Sequence, residues 1–142
     1  MADWTARFMD VARLTASWSK DPNEKVGCVL VLDKNVLAGG FNGFPRGIVD
    51  NERLNDRDVK LQLIVHAEAN AIASAARHGH SVKGATAYIT RPPCTQCAAL
   101  LIQAGISVVY HLPGNPLSKW VANHEAACKM LNEARVAVIP YS

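Results

Sequence analysis

The stretch ATAYITRPPCTQCAALLIQAGISVVY, residues 85–110, decides the fold of this chain. Its first six residues are small, β-branched or aromatic and read as a strand. Pro92-Pro93 stops that strand. Residues 95–104 then read as a helix, closed by Gly105, and residues 106–110 as a second short strand. Two strands joined through a helix run parallel. Downstream, residues 116–133 read as another helix and residues 135–139 as a final strand, so the parallel pattern repeats. Upstream, residues 26–32 and 36–41 are β-rich and joined at Asp33-Lys34-Asn35, which predicts a hairpin.

Three segments complete the pattern. Residues 3–19 place Trp4, Phe8, Val11, Leu14, Thr15 and Trp18 at helical spacing, and Asp21-Pro22-Asn23 breaks that helix. Residues 42–60 are polar, charged and rich in turn formers, which predicts a long surface loop. Residues 61–78 are dense in alanine and read as a helix. The expected architecture is α/β. It is a three-layer α-β-α sandwich around a five-stranded mixed sheet, formed by one domain over residues 1–142.

Bulk composition narrows the function classes. The 142 residues are 49% hydrophobic and 19% charged, which is ordinary for a globular domain and excludes a disordered chain. A net charge of +3 suits an anionic small molecule but does not demand nucleic acid, and no block of like charge forms a nucleic-acid tail. The beginning of the chain lacks the apolar core of a signal peptide, and no run is long enough to span a bilayer. The expectation is a cytoplasmic protein without membrane or nucleic-acid partners. In a reducing compartment the close pair Cys94 and Cys97 reads as metal-binding rather than as a disulfide. A redox CxxC is the competing reading, and it leaves the upstream histidine and glutamate without a role. Cys28 and Cys128 read as small core hydrophobes.

The chemistry lies in His66-Ala67-Glu68 and Pro93-Cys94-Thr95-Gln96-Cys97, with Cys94 placed 28 positions after His66. One imidazole and two thiolates are three ligands for a tetrahedral zinc ion. Structural sites use four protein ligands, whereas catalytic sites keep one position for water. The set therefore predicts one catalytic Zn2+, with Glu68 moving the protons of an activated water. Two thiolates cancel the charge of the ion, which makes a nearby carboxylate base necessary. Residues two apart on a helix point roughly 200° from each other. His66 and Glu68 can then serve one metal only off a helix end, so the functional helix is expected to begin near His66. Helix N-termini also favour thiolate over thiol.

The order H-x-E…P-C-x-x-C is the signature of zinc-dependent base deaminases. The chain resembles the cytidine deaminase superfamily. Within it the chain resembles the deoxycytidylate branch, through Ser19-Lys20-Asp21-Pro22-Asn23, Lys25-Val26-Gly27, Gly40-Phe41-Asn42-Gly43-Phe44-Pro45-Arg46-Gly47, His66-Ala67-Glu68-Ala69-Asn70-Ala71-Ile72 and Pro93-Cys94-Thr95-Gln96-Cys97-Ala98. The resemblance implies hydrolysis of dCMP to dUMP and ammonia, which supplies thymidylate synthesis. It assigns the zinc to His66, Cys94 and Cys97, the proton shuttle to Glu68, the sugar hydroxyl to Asn42, and the pyrimidine edge to the backbone of Ala67. Lys20, Arg46 and Arg91 are the candidate phosphate cations. The resemblance also implies a homo-oligomer, with a hexamer favoured. It implies control by dCTP and dTTP at Gly40, Phe41, Asn42 and Gly43, with Mg2+ accompanying the triphosphate. Phe41 stands where such members carry tyrosine. His78-Gly79-His80 hints at a second zinc, but no set of four ligands accompanies it, and a polar helix-end loop accounts for it.

Two rival readings remain at this stage. The base could be tRNA adenosine, cytidine, guanine or a riboflavin precursor. A tRNA enzyme calls for a cationic C-terminal helix, and residues 125–135 are mixed in charge. A non-catalytic zinc module would need a fourth ligand and has no use for Glu68.

Overall fold

Asp33 and Lys34 both adopt left-handed backbone, with φ of 52° and 62°. A two-residue turn of that kind matches the twist of the strands it joins. It closes a hairpin between β1 (Gly27–Leu32) and β2 (Asn35–Phe41). The computed structural model describes residues 3–142. Its sheet adds β3 (Thr86–Ile89), β4 (Val108–His111) and β5 (Ala137–Pro140) in the order β2-β1-β3-β4-β5. β1 pairs antiparallel with β2 and with β3, and the β3–β4 and β4–β5 pairs are parallel. The five-stranded mixed sheet expected from the sequence is present.

Helices cover both faces. α1 (Trp4–Ala16) packs on one face through Phe8, Met9 and Ala12 against Val29, Val31 and Tyr88. α3 (Ala67–Arg77), α4 (Thr95–Ala104) and α5 (Val121–Glu133) share the other face, where Cys28, Leu30, Ile89, Leu101, Val109 and Leu131 form the larger core. β1 feeds both cores, so it reads as an unbroken apolar run rather than an alternation. Among the described residues no helix is long and apolar enough to cross a membrane.

Several expected boundaries change. The segment 42–60 is not all loop: a 3-10 turn at Glu52–Asn55 leads into α2 (Arg57–Leu63), capped by Asp56, whose carboxylate accepts from Asp58 N and Val59 N. The helix expected over 61–78 is thereby split, with Ile64 and His66 in extended conformation and α3 starting at Ala67. α5 starts at Val121 rather than at 116. The buried stripe of α1 is Phe8, Met9, Ala12, Thr15 and Ala16, whereas Trp4, Leu14 and Trp18 are exposed. The stripe narrows to alanine at Ala12 and Ala16, where the helix backbone rests directly on Gly27. The displaced aromatics find partners outside: Arg7 and Lys34 lie over the Trp4 ring at 4.7 and 4.8 Å, and Trp18 meets Phe41 edge-on at 6.4 Å. Cys128 is half-buried, while Cys28 is fully buried in the larger core.

On the opposite face Gly40 plays the role of Gly27. A Cβ there would penetrate Ala67 O and Ala71 N, so β2 and α3 approach more closely than any side chain permits. Gly40→Ala is expected to lower unfolding free energy by about 1–3 kcal/mol or more. Gly43→Ala, whose Cβ would meet nothing nearer than Phe41 Cε2 at 4.0 Å, should melt close to the wild type. Equal melting of the two variants in chemical denaturation would contradict this packing account.

Candidate metal centre

His66 is the N-cap of α3 and Cys94 the N-cap of α4, both with extended backbone, φ/ψ −70°/157° and −83°/169°. Each therefore projects its side chain beyond the helix end instead of along a helix face. His66 is held by its surroundings. Val65 and Gly43 exchange backbone hydrogen bonds at 2.8 and 3.1 Å, and Asn70 Nδ2 donates to Phe41 O at 2.7 Å and to Val65 O at 3.3 Å. Cys97 sits in the first turn of α4, where its N–H points at Cys94 Sγ, 3.5 Å away.

These placements bring three donors together. His66 Nδ1 lies 3.4 Å from Cys94 Sγ and 3.5 Å from Cys97 Sγ, and all three atoms lie within 4.8 Å of one another. Zinc–sulfur and zinc–nitrogen bonds of ordinary length at a tetrahedral angle separate nitrogen from sulfur by about 3.5 Å. The donor set therefore fits zinc in chemistry and in spacing, and it identifies Nδ1 as the ligating nitrogen. Among the described residues no fourth His, Cys, Asp or Glu joins this group. His78 and His80 instead face backbone carbonyls, through Nδ1 to Ser74 O at 2.9 Å and to Leu37 O at 3.2 Å.

Electrostatics around the cluster is strongly perturbed. Glu68 is fully buried, and neither carboxylate oxygen has a hydrogen-bond partner. Such an orphan is costly unless a ligand or metal-associated group uses it. Burial pushes its pKa up, with the Arg91 charge opposing. The hydrogen bond with Cys94 raises His66. In the sulfur pair hydrogen bonding from Cys97 lowers Cys94, and the same bond raises Cys97. Burial raises the Cys28 thiol, and the Glu68 charge adds to the effect.

The other sequence candidates separate. Ala67 is buried in the first turn of α3, where backbone N–H groups have no helical acceptor. Arg91 pairs with Glu24 at 2.9 Å, its Nε is buried without a partner, and its charge acts on His66, Glu68 and Cys97. Asn42 is buried and clamps the preceding loop: Nδ2 donates to Glu24 O at 2.9 Å and to Asp21 Oδ2 at 3.4 Å, and Oδ1 accepts from Val26 N at 2.9 Å. Lys20 is exposed and pairs with Asp50 at 3.4 Å. Arg46 is on a different surface, a groove of about 730 Å³ lined also by Gly40, Phe41, Gly43 and Arg77. The sequence reading missed the anchoring by Asn70, although that residue lies in the quoted HAEANAI stretch. It also missed Asn123 and His124 of α5, which bond Thr95 and Pro93 and carry no local signal.

Comparison with known proteins agrees with this site. The sequence profile described as the cytidine and deoxycytidylate deaminase zinc-binding region matches residues 2–112. An uncharacterized deaminase in the luxG 3′ region of Aliivibrio fischeri is 37% identical over 140 residues, covering 97% of this chain and 93% of that protein. Human deoxycytidylate deaminase is 41% identical over 114 residues, which is 75% of this chain and 63% of the human one. The dCMP deaminase of cyanophage S-TIM5, solved in apo form, superposes with a TM-score of 0.79 at 26% identity, covering 96% of each chain.

Zinc analysis of the freshly purified chain should find one ion per chain, and Cys94→Ser or His66→Ala should remove it. A pH test follows from Glu68. Its raised pKa means the folded metal-free chain holds a proton that the unfolded chain releases, so stability falls as pH rises above the ordinary glutamate value of about 4.3. Metal-free Glu68→Gln lacks that loss. Melting temperatures of the two chains should diverge in favour of Glu68→Gln as pH climbs, and a constant difference would contradict the assignment.

Proposed function

The chain belongs to the cytidine and deoxycytidylate deaminase family, and we propose that within it the chain hydrolyses dCMP to dUMP and ammonia. The observation that carries this reading is the orphaned carboxylate of Glu68 beside the His66–Cys94–Cys97 cluster. Support for the substrate comes from the deoxycytidylate deaminases among its relatives. It comes also from the S-TIM5 enzyme crystallised with dCMP and dUMP, with a TM-score of 0.79 at 25% identity.

Zinc held by His66, Cys94 and Cys97 supplies Lewis acidity that makes water nucleophilic near neutral pH. Glu68 accepts a proton from the attacking water and delivers it to N3 of the cytosine ring. Its oxygens are free for this because no protein donor occupies them. Glu68 then takes the remaining proton from the new C4 hydroxyl and passes it to the exocyclic amino group, so that the C4–N4 bond breaks as the C4 carbonyl forms and ammonia leaves. A carboxyl whose pKa burial has raised takes a proton more readily than an ordinary glutamate, which suits acceptance from water. Backbone N–H groups at the start of α3, Ala67 included, orient the pyrimidine edge. The second lone pair of Asn42 Oδ1 accepts the sugar hydroxyl, because both amide protons of that side chain are already engaged.

Arg91 is the phosphate cation best placed for the site, because it alone of the three candidates acts on the metal-ligand cluster. The groove beside Gly40, Phe41 and Gly43, with Arg46 and Arg77, is the surface proposed for a dCTP or dTTP effector and its Mg2+. Lys20 and Arg46 then serve other surfaces than the substrate phosphate.

Ammonia release should be measured with dCMP, deoxycytidine, cytidine, CMP, dCTP, guanine and a tRNA anticodon stem. The expected order has dCMP first, and preference for any other substrate would overturn the reading. Glu68→Ala is expected to retain zinc and lose about 10²–10⁴-fold in kcat or more. Full activity in that variant would remove the proton-shuttle role. Arg91→Ala should raise KM for dCMP by about 10- to 100-fold and leave KM for deoxycytidine little changed, and an equal rise for both substrates would remove the phosphate role.

A further inference from the structure

The two sulfur ligands are held in different ways. Cys97 lies inside α4, where the helix ladder sets its backbone. Cys94 is tied to the ladder only by its carbonyl, which accepts from Ala98 N at 2.8 Å, and Pro92-Pro93 before it has no N–H with which to hold the other side. The backbone groups that flank it are Pro93 C=O and Thr95 N–H. Consecutive residues of α5 take up both. Asn123 Oδ1 accepts from Thr95 N at 3.0 Å, and Asn123 Nδ2 donates to Thr95 Oγ1 at 3.2 Å. His124 Nδ1 lies 3.0 Å from Pro93 O. A carbonyl only accepts, so this nitrogen carries the ring proton.

We propose that Asn123 and His124 are positioning residues of the metal centre, gripping the backbone on either side of Cys94 so that its sulfur faces His66 Nδ1. The grip is stiff because Ala127 and Leu131, one and two turns further along α5, are fully buried in the larger core. Small displacements matter here, since metal–ligand distances tolerate only about 0.2 Å. Partners one bond removed from a ligand typically change metal affinity by about 10–100-fold when lost. α5 lies beyond the residues that the family profile matches. The inference rests on the cluster being a zinc site.

Zinc affinity of the full-length purified chain, measured by competition with a chromogenic chelator, tests it. Asn123→Ala and His124→Ala should each weaken zinc binding about 10-fold or more. Their cobalt-substituted forms should show weakened or shifted thiolate-to-cobalt absorption. Asn123→Asp should recover most of the affinity, because a carboxylate accepts from both Thr95 N–H and Thr95 O–H. Glu125→Ala, exposed on the same turn, is the control and should bind zinc as the wild type does. A purely structural role would lower the melting temperature of the metal-free chain and leave the affinity of folded molecules unmoved, and that result would overturn the proposal. If Asn123→Ala does not fold, His124→Ala, which loses a single bond, decides the matter in the same way. A wild-type chain that binds no zinc would instead remove the metal-centre reading, and this inference with it.

Discussion

The meeting of two helix N-termini at one point is the constraint on which the rest of this structure depends. α3 and α4 each end, at their N-cap residues, in a metal-ligating side chain, and the cap positions free those side chains from the helix faces. The positive ends of both helix dipoles lie where thiolates and a carboxylate are needed. The close seat of α3 on β2 at Gly40 brings the first of these ends in, and the β3–α4 connection brings the second. Loss of either approach would leave three ordinary side chains on a surface.

Glu68 follows from the same geometry. It occupies the second position of α3, so the close packing that seats the helix also buries its carboxylate completely. Burial without a hydrogen-bond partner is unfavourable for the fold and useful for proton transfer, because it raises the pKa and leaves both oxygens unclaimed. The cost to stability and the chemical use are two readings of one placement.

Much of the fold was legible in the sequence because period and punctuation agree there. The hairpin is marked by two apolar runs around Asp33-Lys34-Asn35, and the strand–helix–strand pattern by Pro92-Pro93 and Gly105 between its runs. Errors came where packing overrides local pattern. The apolar spacing of α1 marks Phe8 and Thr15, which are buried, but Trp4, Leu14 and Trp18 stay outside because the helix backbone at Ala12 and Ala16 rests directly on Gly27. α2 was hidden in a polar segment because its helix is capped by Asp56 and buries no side chain, so it has no apolar period to detect. The break before α3 was visible from chemistry rather than from pattern, since His66 and Glu68 could not reach one ion from a continuous helix.

The amino-acid sequence by itself marked His66, Glu68, Cys94 and Cys97 as chemically distinctive and gave the succession of the five strands, because residue chemistry and hydrophobic period are local properties. Tertiary structure decided which histidine nitrogen faces the sulfurs, that the charge of Arg91 acts on His66 and Cys97, and that both amide protons of Asn42 go to holding a loop. It also decided that Asn123 and His124 grip the Cys94 turn from a helix 28 and more residues away. Such facts are distances between segments remote in the chain, and only packing of the common core brings those segments together.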